Sequence, residues 1–178
     1  MKNDIESILL SEAQLDAKLT ELAAKIDADY AGKSPLFLGI LKGSFIFMAD
    51  LVRKITLPCE MDFMAVSSYG NKSVTTGAVT ITKDLNVDIE GRDVILVEDI
   101  LDSGLTLSYL MKYLENRRPN SMKICALLDK PARRKAPIKA DYSGFEIPDA
   151  FVVGYGLDYA EKYRNLPYIG ILKPSVYE

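Results

Sequence analysis

The chain predicts an α/β fold with a largely parallel central sheet flanked by helices, and three observations predict it. Apolar, mostly β-branched or leucine-rich runs at residues 35–41, 94–97 and 122–128 read as strands buried on both faces. Segments with apolar residues at helical spacing alternate with them, which is the order that builds parallel sheets. The runs also close on polar or charged residues, Lys42, the Glu98 loop and Lys130, and in such sheets ligands bind beyond the carboxyl ends of the strands.

Taken in order, Ser11 and Gln14 form a capping box ahead of Leu15, Leu19, Leu22 and Ile26, so a first amphipathic helix runs to about Tyr30 and stops at Gly32. Residues 35–41 are a strand, and Lys42, Gly43 and Ser44 turn it into a second helix over 45–54. Residues 59–66 form another strand. The stretch 67–77 is small and polar and reads as a mobile loop or open hairpin, with a return strand at 79–83 and a turn at 88–92. The strand from Val94 leads into a loop, and after Thr106 a helix carries Leu107, Leu110, Met111 and Leu114 and ends near Pro119. A strand at 122–128, a basic irregular segment over 131–142, a short strand at 150–153 and a last one at 168–172 complete the chain.

With 178 residues, 48% hydrophobic and 26% charged, one domain spanning 1–178 with a full core is expected. A formal charge of -3 argues against a broadly basic nucleic-acid surface. No run approaches the length that spans a bilayer, no leader-like segment opens the chain, and Cys59 and Cys125 sit in apolar segments as reduced thiols; these predict a soluble cytoplasmic protein with no membrane partner. The absence of histidine removes imidazole bases and His-ligated zinc, leaving carboxylate, lysine, tyrosine or thiol as the general base.

Residues 98–106 concentrate the chemistry, with three carboxylates, two hydroxyls and a glycine. Glu98 and Asp99 at a strand end suit sugar hydroxyls or Mg²⁺, or simply terminate the strand in solvent. Asp102, Ser103, Gly104, Leu105 and Thr106 enter a helix, whose free N–H groups and partial positive charge make a plausible phosphate cradle; Asp102 or Ser103 as a plain cap is the alternative. No GxxxxGK[ST] sequence occurs, and the GxG at 154–156 lacks the third glycine of a dinucleotide fingerprint.

A strand ending in paired acids, then a third acid and a hydroxyl-rich turn into a helix, resembles the phosphoribosyl diphosphate motif of the type I phosphoribosyltransferases. Residues 41–44, 68–70, 130, 144–149, 151–155, 157–159 and 164 follow the order and spacing of the hypoxanthine-guanine branch, a resemblance covering about residues 35–172. It implies a small hood at the carboxyl edge built from the terminal segments, a flexible lid over about 67–82 that includes Ser68 and Tyr69, and transfer of the 5-phosphoribosyl group from phosphoribosyl diphosphate to N9 of a 6-oxopurine. It implies that Glu98 and Asp99 face the ribose and Mg²⁺, that residues 102–106 hold the 5-phosphate, and that Asp102 is the base beside N7. Lys42, the backbone of Gly43 and Ser44, and Arg164 fall to the pyrophosphate, with a cis peptide before Lys42.

By the same resemblance Lys130 donates to O6, Ile100 and Phe151 sandwich the ring, the backbone of Val152 and Asp158 reads its far edge, and Asp158 holds a second Mg²⁺. Without the family, Lys42 reads as a solvated lysine and Phe151 as core packing. Leu105 departs from relatives with a polar side chain there, so that position offers its backbone alone. The basic run at 133–135 is a solvated face, an interface or a nucleotide-related feature. A homodimer or homotetramer is implied by resemblance; a nucleic-acid-binding regulator on the same fold, and a xanthine-preferring or pyrimidine-specific transferase, are the competing readings.

Overall fold

The computed structural model describes residues 1–68 and 79–177. Its centre is a six-stranded sheet in the order β4-β3-β2-β5-β6-β7, with β2 (Leu36–Leu41), β3 (Glu60–Ser68), β5 (Asp93–Leu101), β6 (Ser121–Asp129) and β7 (Tyr142–Glu146) parallel and β4 (Val79–Lys83) antiparallel to β3. A second sheet of three antiparallel strands joins β1 (Ile5–Leu10), β9 (Ile169–Leu172) and β8 (Val152–Val153).

Both faces of the large sheet are covered. Alternation along β2 and β5 sends Phe37, Ile95 and Val97 to one face, where they pack with Leu15, Leu19, Leu22 and Ile26 of α1 (Glu12–Asp29) and Phe47 and Leu51 of α2 (Phe45–Val52). Leu36, Leu38, Val94 and Leu96 face the other way, against Leu107, Leu110 and Leu114 of α3 (Leu105–Glu115). That double coverage explains why these strands are continuous apolar runs.

The capping box forms as expected: Gln14 N–H donates to Ser11 Oγ at 3.3 Å, and Ser11 N–H donates to the Gln14 side chain at 2.9 Å. The second helix ends two residues before its predicted limit, at Val52, and the basic segment holds only a single 3-10 turn at Pro131–Arg133. Two strands were not read from the sequence. β1 pairs with β9 across nearly the whole chain, Ile5 opposite Leu172, and β7 is an edge strand whose mixed Tyr-Ser-Gly-Phe-Glu composition is half exposed, so neither carries a strong period of its own. Ser68 closes β3, whereas Tyr69 and most of the expected lid lie outside the described residues.

Candidate active site

Register turns the strand ends into a site. β2, β5 and β6 are adjacent and parallel and end at Leu41, Leu101 and Asp129, so Lys42, Asp102 and Lys130 are each the first residue beyond a neighbouring strand. Three distant sequence positions thus share one edge.

Beyond β5 the chain turns through Gly104, whose φ of 76° is the left-handed conformation glycine adopts freely, into α3. No side chain caps this helix. Ser103 Oγ accepts from Leu105 N–H only at a long 3.4 Å, so the plain-cap alternative for Asp102 and Ser103 does not hold and the helix N-terminus stays open to an anion. The Leu105 side chain is 50% exposed and takes no polar part. A cavity of about 170 Å³ beside this turn is lined by Gly43, Glu98, Ile100, Asp102, Ser103, Gly104 and Thr106, among others. A groove of about 980 Å³ lies elsewhere, over α1 and α2, and its lining holds none of the predicted residues.

Asp99 is buried, whereas the Asp102 side chain is 40% exposed and only one of its oxygens is covered. Glu98 Oε2 and Asp102 Oδ1 are buried without a hydrogen-bond partner; the nearest cation to the latter is Arg133 Nε, at 3.5 Å. Burial first, and the neighbouring Asp99 second, push the Glu98 carboxyl well above the usual range for a glutamate. Asp99 is also raised by burial, though its own bond from Ile100 N–H, at 2.9 Å, opposes the shift. An arriving cation or a pair of sugar hydroxyls would supply what this pair lacks. Asp99 also lies flat on Gly43, since a Cβ there would collide with Asp99 Oδ2.

The Leu41-Lys42 peptide is cis. Lys42 is a solvated lysine, its side chain 67% exposed, and its Nζ meets the similarly exposed Glu161 at 3.1 Å, which also reaches Arg164 at 3.4 Å. Arg164 pairs with Asp158 at 2.9 Å and donates to the Gly156 carbonyl at 2.7 Å, leaving its Nε buried and unpartnered. Lys42, Asp158 and Arg164 therefore stand together. The Ser44 hydroxyl is spent on the Ile40 carbonyl, at 2.7 Å, so only its backbone can serve a ligand.

Lys130 is 5% exposed, and its ammonium donates to the Ala150 carbonyl at 2.6 Å, which brings it beside Phe151 and Val152. Burial lowers its pKa while Asp102 and Asp149 pull it back up. Phe151 is exposed rather than part of the core, and stacks on Tyr177 at 4.8 Å between centroids with Tyr159 edge-on at 5.5 Å. Val152 is fixed in β8 opposite Ile171, and Ile100 packs partly on the core. Glu161, Tyr177 and Arg134 were not singled out by sequence. Glu161 and Tyr177 carry no local signal, and Arg134 was hidden in a run that reads as a basic face.

A strand-end carboxylate pair, an open helix start and separate lysines and arginine gather at one edge of a doubly covered α/β sheet, an arrangement suited to a polyanionic sugar ligand. Residues 7–160 match the family described as the phosphoribosyl transferase domain, first helix included, and the chain belongs to that family.

Among its relatives, the chain is 60% identical over 178 residues to the hypoxanthine-guanine phosphoribosyltransferase of Bacillus subtilis (strain 168), covering 100% of this chain and 99% of that protein. The crystal structure of a hypoxanthine phosphoribosyltransferase from Staphylococcus aureus superposes with a TM-score of 0.96 at 52% identity, over 100% of this chain and 97% of that one. The solved structure of a hypoxanthine phosphoribosyltransferase from Trypanosoma cruzi, a mutant form in a ternary substrates complex, gives 0.93 at 41% identity, over 99% and 100%. The expected fold class and the family resemblance are borne out.

Proposed function

We propose that the chain is a purine-salvage enzyme that moves the 5-phosphoribosyl group of phosphoribosyl diphosphate to N9 of hypoxanthine or guanine, giving IMP or GMP and pyrophosphate. The observation that carries this reading is the set of Lys42, Asp102 and Lys130 immediately beyond three adjacent parallel strands, beside an uncapped helix start. Curated relatives at this identity bear the same activity in their names.

In the transfer, the ribosyl C1–oxygen bond to the diphosphate breaks as the N9–C1 bond forms, and C1 becomes cationic in between. The backbone and hydroxyls of Ser103, Gly104, Leu105 and Thr106 hold the 5-phosphate at the α3 N-terminus. Asp102, with a buried oxygen lacking a partner, bonds N7 and takes the purine proton as N9 attacks. Lys42, the backbone of Gly43 and Ser44, and Arg164 hold the diphosphate, which requires Glu161 to give way. Lys130 donates to O6, the contact that rejects a 6-amino purine, Ile100 and Phe151 flank the ring, and Val152 and Asp158 read its far edge.

Glu98, Asp99 and Asp158 would hold Mg²⁺, for which the partnerless Glu98 oxygen and the partly exposed Asp158 carboxylate are suitable donors. Glu98 and Asp99 would serve one ion and Asp158 a second, each sharing its shell with substrate oxygens and water. Bound there, Mg²⁺ would offset the charge that leaves with the diphosphate.

The segment about 67–82, with Ser68 and Tyr69, is assigned as a lid that keeps water from the ribosyl cation, and the β1-β9-β8 sheet as a hood of the same single domain, residues 1–178. We further assign a homodimer or homotetramer in the cytoplasm; free Cys59 and Cys125 fit a reducing compartment. The competing regulator of nucleic acid is disfavoured by the charge of -3. The test is nucleotide formation with phosphoribosyl diphosphate, Mg²⁺ and each of hypoxanthine, guanine, xanthine, adenine and uracil. Faster turnover of adenine than hypoxanthine would sink the role of Lys130, faster turnover of xanthine would move the assignment to that base, and full activity in EDTA would remove the metal.

A further inference from the structure

The basic run at 133–135 is absorbed by none of the roles above, and its middle member is not a solvated charge. Arg134 has a side chain only 16% exposed. Its guanidinium donates from Nε to the Asp102 carbonyl at 3.0 Å, from Nη1 to the Ile138 carbonyl at 2.7 Å and from Nη2 to the Leu101 carbonyl at 3.1 Å, and it pairs with the Asp129 carboxylate through Nη2. Every nitrogen of the fork is engaged. Neighbouring backbone continues the pattern: Lys130 N–H donates to the Leu101 carbonyl at 3.0 Å, and Lys135 and Ala136 N–H donate to the Ser103 carbonyl at 2.9 and 3.1 Å. Three successive carbonyls of the catalytic turn, 101 to 103, are thus held by the 130–136 segment.

We propose that Arg134 is a positioning residue for the transfer reaction, a planar bracket that locks the β5 turn carrying Asp102 and the phosphate cradle to the β6 end carrying Lys130. The inference rests on the reading of Asp102 as proton acceptor. Its physical content is geometric. Asp102 and Lys130 must meet two atoms of one purine, N7 and O6, so their spacing has to be held to a fraction of an ångström, and positional looseness of about 1 Å can cost about a hundredfold in rate. Backbone hydrogen bonds fix the turn at residues 101 and 103; at 102 itself the hold comes from Arg134. The Asp102 carboxylate adds little to it: its Oδ1 has no hydrogen bond and meets only the exposed Arg133, at 3.5 Å. Arginine is needed because a lysine has no planar fork to satisfy four acceptors on three segments. Contact with Gly104 adds shape: a Cβ there would fall 3.0 Å from Arg134 Cδ, so the bracket also closes one side of the cradle's turn.

The experiment compares the parent enzyme with Arg134→Lys and Arg134→Ala, assayed with hypoxanthine well below the melting temperature measured for each, with kcat, both KM values and the pH–rate profile recorded. The expected result is a loss of about tenfold to a hundredfold in kcat for Arg134→Lys, a smaller change in KM for phosphoribosyl diphosphate, and a displaced acid limb as Asp102 shifts against its surroundings. Added guanidinium at low millimolar concentration restores part of the kcat of Arg134→Ala. Arg134→Lys turning over within twofold of the parent with an unchanged profile overturns the bracket. So does a loss in either variant that merely follows its unfolded fraction. A parent inactive with every base sinks the functional reading instead, and this proposal with it.

Discussion

The two halves of the site are built in opposite ways. On the β5 side, Glu98 to Thr106 lie in one continuous strand-turn-helix, so a single segment places the acids and the open α3 N-terminus, and hydrogen bonds from 130–136 hold it down. The facing rim is gathered from the ends of β2 and β6, from residues 150–152 and from 158–164; there Lys42 meets the exposed Glu161, Arg164 the Asp158 carboxylate and the Gly156 carbonyl, and the buried Lys130 the Ala150 carbonyl. The first half is held by backbone hydrogen bonds and poor in compensating partners; in the second, Lys42 and Arg164 are partly neutralised by the exposed Glu161, which a ligand can displace. Under the proposed function, chemistry falls to the first half, and binding and selection to the second.

Breaking the first half should cost most. Asp102→Asn keeps shape and removes the base, so kcat should fall by about a hundredfold or more while the melting temperature holds; full activity would transfer the proton to another acceptor. On the facing rim, Lys130→Met removes the charged donor to O6, and hypoxanthine use should drop by about tenfold to a hundredfold while adenine gains relative to it, measured as the ratio of kcat/KM values. Gly43→Ala drives a methyl into Asp99 Oδ2, and should destabilise by about 1–3 kcal/mol in denaturant melts as well as raise KM for phosphoribosyl diphosphate.

Acidity sharpens the contrast. Folding raises the Glu98 carboxyl well above 4.5, chiefly by burial, so the native state holds a proton the unfolded chain has lost. That contribution to stability is fully present below about pH 4.5 and is lost as pH rises toward the folded value. Glu98→Gln cannot ionise, and its melting temperature relative to the parent should climb from about pH 4.5 toward neutrality in the absence of Mg²⁺; a constant difference would mean that Glu98 is already charged in the fold. The smallest effect belongs to the facing rim: Glu161→Gln loosens an exposed ion pair and should lower KM for phosphoribosyl diphosphate by no more than about threefold.

Much of this was readable before any coordinate. The buried strands at β2, β5 and β6 announced themselves because coverage on both faces removes polar positions, α1 because its cap and apolar stripe are local, and the 98–106 segment because all its chemistry is contiguous. Phe151, which composition alone reads as core packing, is exposed.

What the chain by itself determined, then, is the α/β layering and the inventory of charged groups at strand ends. Only the tertiary structure decided how those groups are paired. β1 is a strand because β9 is there to receive it, Lys42 meets Glu161 across more than a hundred residues, and Arg134 is mostly withdrawn from solvent because three carbonyls and Asp129 converge on it. Propensity acts over a few residues, whereas desolvation and hydrogen-bond satisfaction depend on whatever the fold brings alongside.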